Sequence, residues 1–324
     1  MKIEHGRPRV VISKCIEFDS CRWNGLMIRS PFVARLKEHV DFIPVCPEME
    51  IGLGVPRNPL RLVGSERSVH MVQSETMKDV TKAIEAFAYS FLDSLENVDG
   101  FILKDRSPSC GNKDVKLYPK MGKVAPFSAR GSGLFGRQVL QRFAHLAVEN
   151  EGRLNSYRIR EHFLIKLYTL SRFRGVKTSG RMNSLVQFHT ENKFLLMAYN
   201  QTVMRRMGRV VSNPERKAPE ELIEEYQELL GSALEKLPRY SSNINVLMHA
   251  LGHFKEGLTS KEKSYFLQTI NRYRSEKLPL SVCTELLKSW IVRFDEEYLE
   301  QQCFFSPYPE ALVEITDSGK GRKL

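Results

Sequence analysis

Three short apolar runs in the first half of the chain each lead, within a few residues, to a cysteine. That pairing limits the folds open to it. Arg9-Val10-Val11-Ile12-Ser13 precedes Ser13-Lys14-Cys15, and Asp41-Phe42-Ile43-Pro44-Val45 precedes Pro44-Val45-Cys46-Pro47-Glu48. Val98-Asp99-Gly100-Phe101-Ile102-Leu103 turns into a third run and precedes Ser107-Pro108-Ser109-Cys110-Gly111. Each run reads as a buried strand. Between them lie helical signals: Ser30-Pro31, with proline at the favoured first helical position, opens one through about Val40. From Thr76 to about Asn97, Ile84, Phe87, Ala88, Phe91, Leu92 and Leu95 recur at helical spacing. Strands alternating with helices predict an α/β domain with a parallel, Rossmann-like sheet, whose strand ends open into a ligand crevice.

The second half reads as helical throughout. Leu222, Ile223, Tyr226, Leu229, Leu230 and Ala233 form one stripe, and Thr259-Ser260-Lys261-Glu262 is a capping-box sequence. Ser281 to about Gln301 continues the pattern, with Gly- or Pro-containing breaks between segments, so an all-α bundle is expected. The expected domains are 1–150, which holds the cysteine motifs, and 151–324, which is helical. The tail Thr316–Leu324 reads as frayed.

Six cysteines in 324 residues are too few for a disulfide scaffold, and their grouping in motifs suits metal binding or catalysis. The N-terminus carries an acid and no apolar core of a signal peptide, and no stretch is long enough to span a bilayer, so a cytoplasmic protein without membrane contact is expected. Cys15, Cys46 and Cys110, separated by 31 and 64 residues, fit neither a compact ferredoxin run nor a paired-cysteine zinc site. Three thiols meeting at one sheet edge suggest an iron–sulfur cluster with one iron left open to substrate. Cys21 reads as a half-buried structural thiol, with a fourth ligand as the alternative; Cys283 and Cys303 read as buried thiols.

Glu48, two residues past Cys46, is within reach of such a site as a general acid or base, or else caps the backbone that follows. Ser107 and Ser109 flank a proline and either orient a substrate or bond local backbone. Gly131-Ser132-Gly133-Leu134-Phe135-Gly136 matches G-x-G-x-x-G, but Ala125-Pro126-Phe127-Ser128 stands where a preceding strand is needed. It reads as a turn into a helix, with a phosphate at the helix N-terminus as its functional alternative. His189, His249 and His253 read as ordinary structural histidines.

The net charge is +11 and uneven. Nine bases stand against two acids between Phe101 and His145, and eight against two between Glu151 and Arg181. Such clusters beside a site predict a polyanionic partner such as RNA, the alternative being a solubilising surface.

Taken together, Ser13-Lys14-Cys15, Arg22-Trp23-Asn24-Gly25, Pro44-Val45-Cys46-Pro47-Glu48, Gly52-Leu53-Gly54-Val55-Pro56-Arg57 and Lys104-Asp105-Arg106-Ser107-Pro108-Ser109-Cys110-Gly111 resemble the thiouracil desulfidase (DUF523) family. Phe188-His189-Thr190-Glu191-Asn192-Lys193-Phe194-Leu195-Leu196-Met197-Ala198 and Ser306-Pro307-Tyr308-Pro309 resemble the DUF1722 family often fused to it. The two-domain arrangement is similar to the RNA 4-thiouridine desulfidases. The resemblance implies a 4Fe–4S cluster on Cys15, Cys46 and Cys110 with one open iron, and catalytic roles for Glu48 and a serine, Ser107 before Ser109. It also implies non-redox, hydrolytic removal of sulfur from 4-thiouridine in tRNA. The competing expectations are desulfuration of free thiouracil or another small thiolated base, and a non-catalytic iron–sulfur sensor that binds RNA.

Overall fold

A computed structural model describes residues 3–65 and 68–314; the tail Thr316–Leu324 lies outside them. The chain divides into two compact units. One comprises Arg7–Ser171 with residues 311–314, and the other Arg172–Glu310 with residues 3–6.

In the first unit, β1 (Arg9–Ser13), α1 (Pro31–Leu36), β2 (Asp41–Val45) and α2 (Pro47–Glu50) follow in order. After them come β3 (Leu60–Ser65), β4 (Ser68–Gln73), α3 (Thr81–Asp93), β5 (Gly100–Leu103), β6 (Val115–Tyr118), β7 (Ser128–Gly131), α4 (Leu134–Phe143) and β8 (Ala147–Asn150). The parallel sheet β2-β1-β5-β8 contains all three expected strands. Val11 lies opposite Ile43 of β2 and Phe101 of β5. Val10, Val11, Ile12, Phe101, Ile102 and Leu103 are fully buried, which explains why these strands read as unbroken apolar runs rather than alternating ones. Burying each such side chain contributes roughly 1.5–3 kcal/mol.

The sheet order matters for the site. From β1 the chain moves to β2 on one side and later returns to β5 on the other, so β1 and β5 flank a topological switch point. Crevices form at the carboxyl ends of strands at such a point. Here the Ser13 hydroxyl accepts from the Lys104 N–H at 2.9 Å and ties those two ends together.

A second sheet, β4-β3-β6-β7, was not anticipated. It packs Leu62, Met71, Val115 and Leu117 against Val80, Ile84 of α3 and Leu134 of α4. Helix α3 is shorter than the expected 76–97, because β4 and its following turn occupy the chain up to Val80. Helix α1 likewise ends at Leu36, while Ser30 caps it as expected by accepting from Val33 N–H at 3.4 Å.

Helix α5 (Tyr157–Ser179) supplies its first part to this unit and the remainder to the second. The second unit continues with α6 (Met182–Ser212), α7 (Pro219–Ala233), α8 (Tyr240–Gly252), α9 (Ser260–Arg274), α10 (Leu280–Phe294) and α11 (Glu297–Glu300). The capping box at Thr259 and Glu262 forms. Helix α6 breaks at Asn200, whose φ/ψ of −156°/93° is extended. The Asn200 side chain accepts from Val203 N–H at 3.1 Å and so caps the segment that follows.

Candidate active site

Cys15 lies two residues past β1, Cys46 is the first residue after β2 and caps α2, and Cys110 sits in the loop after β5. All three are buried and line one cavity of about 200 Å³. Ser13, Glu48, Ser107 and Ser109 line it too. The structure therefore brings every expected site residue to one place.

It brings Cys21 as well. That thiol is buried and hydrogen-bonds Cys15 and Cys46, so it belongs to the cluster of sulfurs rather than to a half-exposed structural position. The hydrogen bond to Cys15, and then burial, push Cys21 up to about 11. Cys46 is held far above the usual thiol range by its bond to Cys21, burial and the Cys21 charge. Burial and the charge of Cys46 push Cys110 up to about 12. Thiols crowded this way resist ionising together unless a strongly cationic group shares their charge, as it does in metal–thiolate sites. Among the described residues, no three His, Cys, Asp or Glu side chains close around a single metal ion. An iron–sulfur cube is much wider than one ion, and an all-sulfur donor set is its usual ligand chemistry. The residues present fit such a cluster.

Beside the thiols runs a chain of hydrogen bonds with a defined direction. The Ser107 hydroxyl accepts from the N–H groups of Ser109 (3.3 Å) and Cys110 (3.1 Å). Both its lone pairs are then used, so its proton goes to Ser109 Oγ at 3.0 Å. Ser109 Oγ in turn donates to Glu48 Oε1 at 2.6 Å. Ser109, not Ser107, is the serine that touches the carboxylate, while Ser107 shapes the Cys110 loop and orients Ser109.

The other oxygen of Glu48 is held by Arg57. Its Nε donates to Glu48 Oε2 at 2.7 Å, and its remaining donors reach the carbonyls of Gly54 (2.8 Å) and Cys21 (3.0 Å). The Arg57 side chain is 3% exposed and that of Glu48 is 12%. A buried guanidinium on a buried carboxylate is a charge-assisted pair that fixes the acid's orientation. Sequence reasoning assigned Arg57 no role. Its only signal was that it closes the Gly52–Arg57 motif.

The G-x-G-x-x-G segment is a turn into a helix, as expected, since α4 starts at Leu134. A strand, β7, does precede it, although it is short and polar. The first amides of α4 hold no phosphate. Gly133 N–H donates to Gly111 O, Leu134 N–H to Pro108 O and Gly136 N–H to Ser109 O. A Cβ on Gly133 would fall on the Ser109 carbonyl, and one on Gly136 on the carbonyls of Gly111 and Cys110. These glycines let α4 press against the Cys110 loop and hold it in place.

The two basic stretches part company. Arg106, Lys116, Lys120, Lys123 and Arg130 of the first are exposed. In the second, Arg160 and Lys166 are buried, donating to the Leu154 and Ala144 carbonyls, and Arg153 pairs with Glu149 at 2.9 Å. Arg172 pairs with Glu191. Much of the second run therefore holds the fold together and is not a phosphate-binding face. Elsewhere, His189 Nδ1 meets the buried Tyr226 hydroxyl at 3.1 Å and His253 meets Glu296 at 3.3 Å, both structural placements.

Comparison with known proteins adds to this geometry. Residues 10–151 match the family model described as 2-thiouracil desulfurase, and residues 193–309 match the protein of unknown function family DUF1722. The uncharacterized protein YbgA of Escherichia coli (strain K12) is 23% identical over 51% of this chain and 99% of its own length. The uncharacterized protein YbbK of Bacillus subtilis (strain 168) is 27% identical over 44% of this chain and 96% of its own. A solved structure described as the 4Fe–4S-dependent thiouracil desulfidase TudS shares 24% identity, covering 46% of this chain and 93% of that one, with a TM-score of 0.36. No helix among the described residues is long and apolar enough to cross a membrane.

Proposed function

Since the chain belongs to the 2-thiouracil desulfurase family through residues 10–151 and carries a DUF1722 domain over residues 193–309, we propose that it removes sulfur from 4-thiouridine in RNA, giving uridine and sulfide. The observation that carries this reading is the meeting of Cys15, Cys46 and Cys110 with the Ser109–Glu48–Arg57 chain in one cavity. Cys15, Cys46 and Cys110 would hold a 4Fe–4S cluster. When bound, that cluster supplies a soft Lewis-acid iron that favours sulfur over oxygen and polarises a thiocarbonyl.

The chain's own residues do the rest. Glu48 takes a proton from the water that attacks the carbon bearing sulfur, and afterwards returns a proton toward the ring nitrogen. One water is consumed for each sulfide released, and no net electrons move. Arg57 balances the charge of Glu48 and fixes its plane. Ser109 donates to Glu48, and Ser107 holds the Ser109 proton in that direction. A base inside a folded RNA must leave its stack to enter a cavity this small. The exposed bases Arg106, Lys116, Lys120, Lys123 and Arg130 favour a polyanion near the site. The buried cysteine trio requires anaerobic loading and a reducing compartment such as the cytoplasm.

Free 2-thiouracil is the second reading, favoured by the family description. Sulfide release from 4-thiouridine-bearing tRNA and from the free base, measured at several salt concentrations on anaerobically reconstituted protein, separates the two. RNA turnover that falls steeply with salt supports the first reading. Equal and salt-independent rates would leave the free base as substrate.

A further inference from the structure

Trp23 lies on the rim of the thiol cavity and is 46% exposed, an unusual position for the largest apolar side chain beside so buried a site. A tight turn holds it there. Gly25 N–H donates to Arg22 O at 2.9 Å, with Gly25 at a φ of 71°, and Asn24 Oδ1 accepts from Leu26 N–H at 3.3 Å. The turn is also tied to the catalytic carboxylate. Arg57 N–H donates to the Trp23 carbonyl at 2.8 Å while its side chain grips Glu48.

Among the described residues, no ring and no cation stacks on the Trp23 indole, in contrast with most aromatics of this unit: Phe18 packs on Phe42 and carries Lys37, and Phe101 packs on Phe143. The aromatic without such a partner is thus the one that lines the cavity. Arg22, its neighbour, lines the same cavity and has no acidic partner among the described residues.

We propose that Trp23 is the base-stacking residue of this site: its indole lies on the face of the thiolated pyrimidine as that base enters, beside the positive charge of Arg22. The proposal rests on the desulfidase reading and adds a substrate-binding residue to it. An indole face accepts any base by π-stacking, and its worth by alanine substitution is about 1–3 kcal/mol per base. Stacking holds substrate and product alike, since both rings are flat, so its loss weakens binding more than it slows the chemical step.

The test uses the cluster-loaded full chain and a short single-stranded RNA with one uridine, the unreactive product of the proposed reaction, followed by fluorescence anisotropy. Trp23→Ala is expected to weaken product binding roughly 5- to 150-fold, the stacking range converted at 1.4 kcal/mol per tenfold. With the thiolated RNA, KM should rise by more than kcat falls. Trp23→Phe keeps an aromatic face and is expected to recover most of the affinity. Product binding by Trp23→Ala within twofold of the unsubstituted chain, or a Trp23→Phe variant as weak as Trp23→Ala, overturns the proposal. Trp23 is exposed, so the fold tolerates both variants, and unchanged iron content and thermal midpoint verify this. Failure of the unsubstituted chain to release sulfide from any thiolated pyrimidine would sink the desulfidase reading instead. Normal sulfide release with unaltered Trp23→Ala binding would sink this proposal alone.

Discussion

The two units bury polar and reactive side chains in opposite ways. In the α/β unit, Cys15, Cys21, Cys46, Cys110, Ser109 and Glu48 face one another around an open cavity. In the helical unit, the buried polar groups are spent pairwise. Arg172 serves Glu191 and Cys303, His189 meets Tyr226, and Gln302 bonds the Phe194 N–H and the Thr190 carbonyl. The groups named in both units are hydrogen-bonded, as burial favours, although among the described residues Asn192 Oδ1 and Asn243 Oδ1 of the helical unit are buried without a partner. The first set converges on a cavity, and such space is what a reactive centre needs and a structural lock does not.

The sharpest way to break this contrast is to remove thiols from each unit. Cys15→Ala, Cys46→Ala or Cys110→Ala is expected to abolish stable iron loading after anaerobic reconstitution, whereas Cys283→Ala, in α10, should leave it intact. Iron and sulfide analysis with the visible spectrum reads both outcomes. Full loading of any of the first three variants would detach the cavity from the cluster.

Next in size is the carboxylate. Glu48→Gln keeps the shape and removes the base, so sulfide release should fall about 10²- to 10⁴-fold with iron content preserved. Ser109→Ala should cost roughly tenfold or more, the worth of a hydrogen bond to a charged group, and Ser107→Ala less. A Ser107 variant worse than the Ser109 variant would reverse the order read from their hydrogen bonds.

Two arginines compare the units directly. Arg57→Ala takes the cation from Glu48, leaving it Ser109, and Arg172→Ala takes the cation from Glu191, leaving it Gln187. Breaking a fully buried pair costs roughly 3–5 kcal/mol, so a smaller loss is expected for these, measurable by urea unfolding. Arg57→Ala should also reduce sulfide release per folded molecule, while Arg172→Ala should not. Equal effects on turnover would make Arg57 a merely structural residue.

These expectations show how far the residues could be read in advance. Strands β1 and β5 were legible because both their faces are buried, which leaves a continuous apolar signal, and β2, at the sheet edge and half-exposed, was legible from its Phe42-Ile43 and Val45 alone. Strands β3, β4, β6 and β7 carry sequences such as Ser68-Val69-His70-Met71-Val72-Gln73 and Ser128-Ala129-Arg130-Gly131, short and half-exposed, in which no period dominates. The cysteines, Glu48 and the serines stood out because each follows a strand end within a few residues. Arg57 and Cys21 were not, because their importance lies in partners that the chain brings close only after folding. The turn into α4 at Gly133 was legible, but the close approach of Gly133 and Gly136 to other backbone was not. They serve the carbonyls of the Cys110 loop, about 25 residues earlier, and not a ligand.

A last expected effect, on stability and not on turnover, is acid sensitivity. Burial, and then the charge of Lys166, lower His162 in the α/β unit from 6.5 to about 4. The unfolded chain therefore takes up a proton that the folded chain refuses. Stability from this group is complete above about pH 6.5 and is lost progressively as the pH falls toward 4, by on the order of 2 kcal/mol after allowance for partial exposure. His162→Gln should flatten that part of the pH–stability curve. An unchanged slope would place the acid sensitivity elsewhere.

The central claim is that three strand-end thiolates hold a cluster whose remaining iron meets a sulfur-bearing pyrimidine. Mössbauer spectroscopy of the ⁵⁷Fe-reconstituted full chain, with and without a short RNA bearing 4-thiouridine, tests it most directly. The account predicts one iron site distinct from the other three, whose signal alone shifts when the thiolated base is added. Four equivalent irons that ignore the base would contradict it.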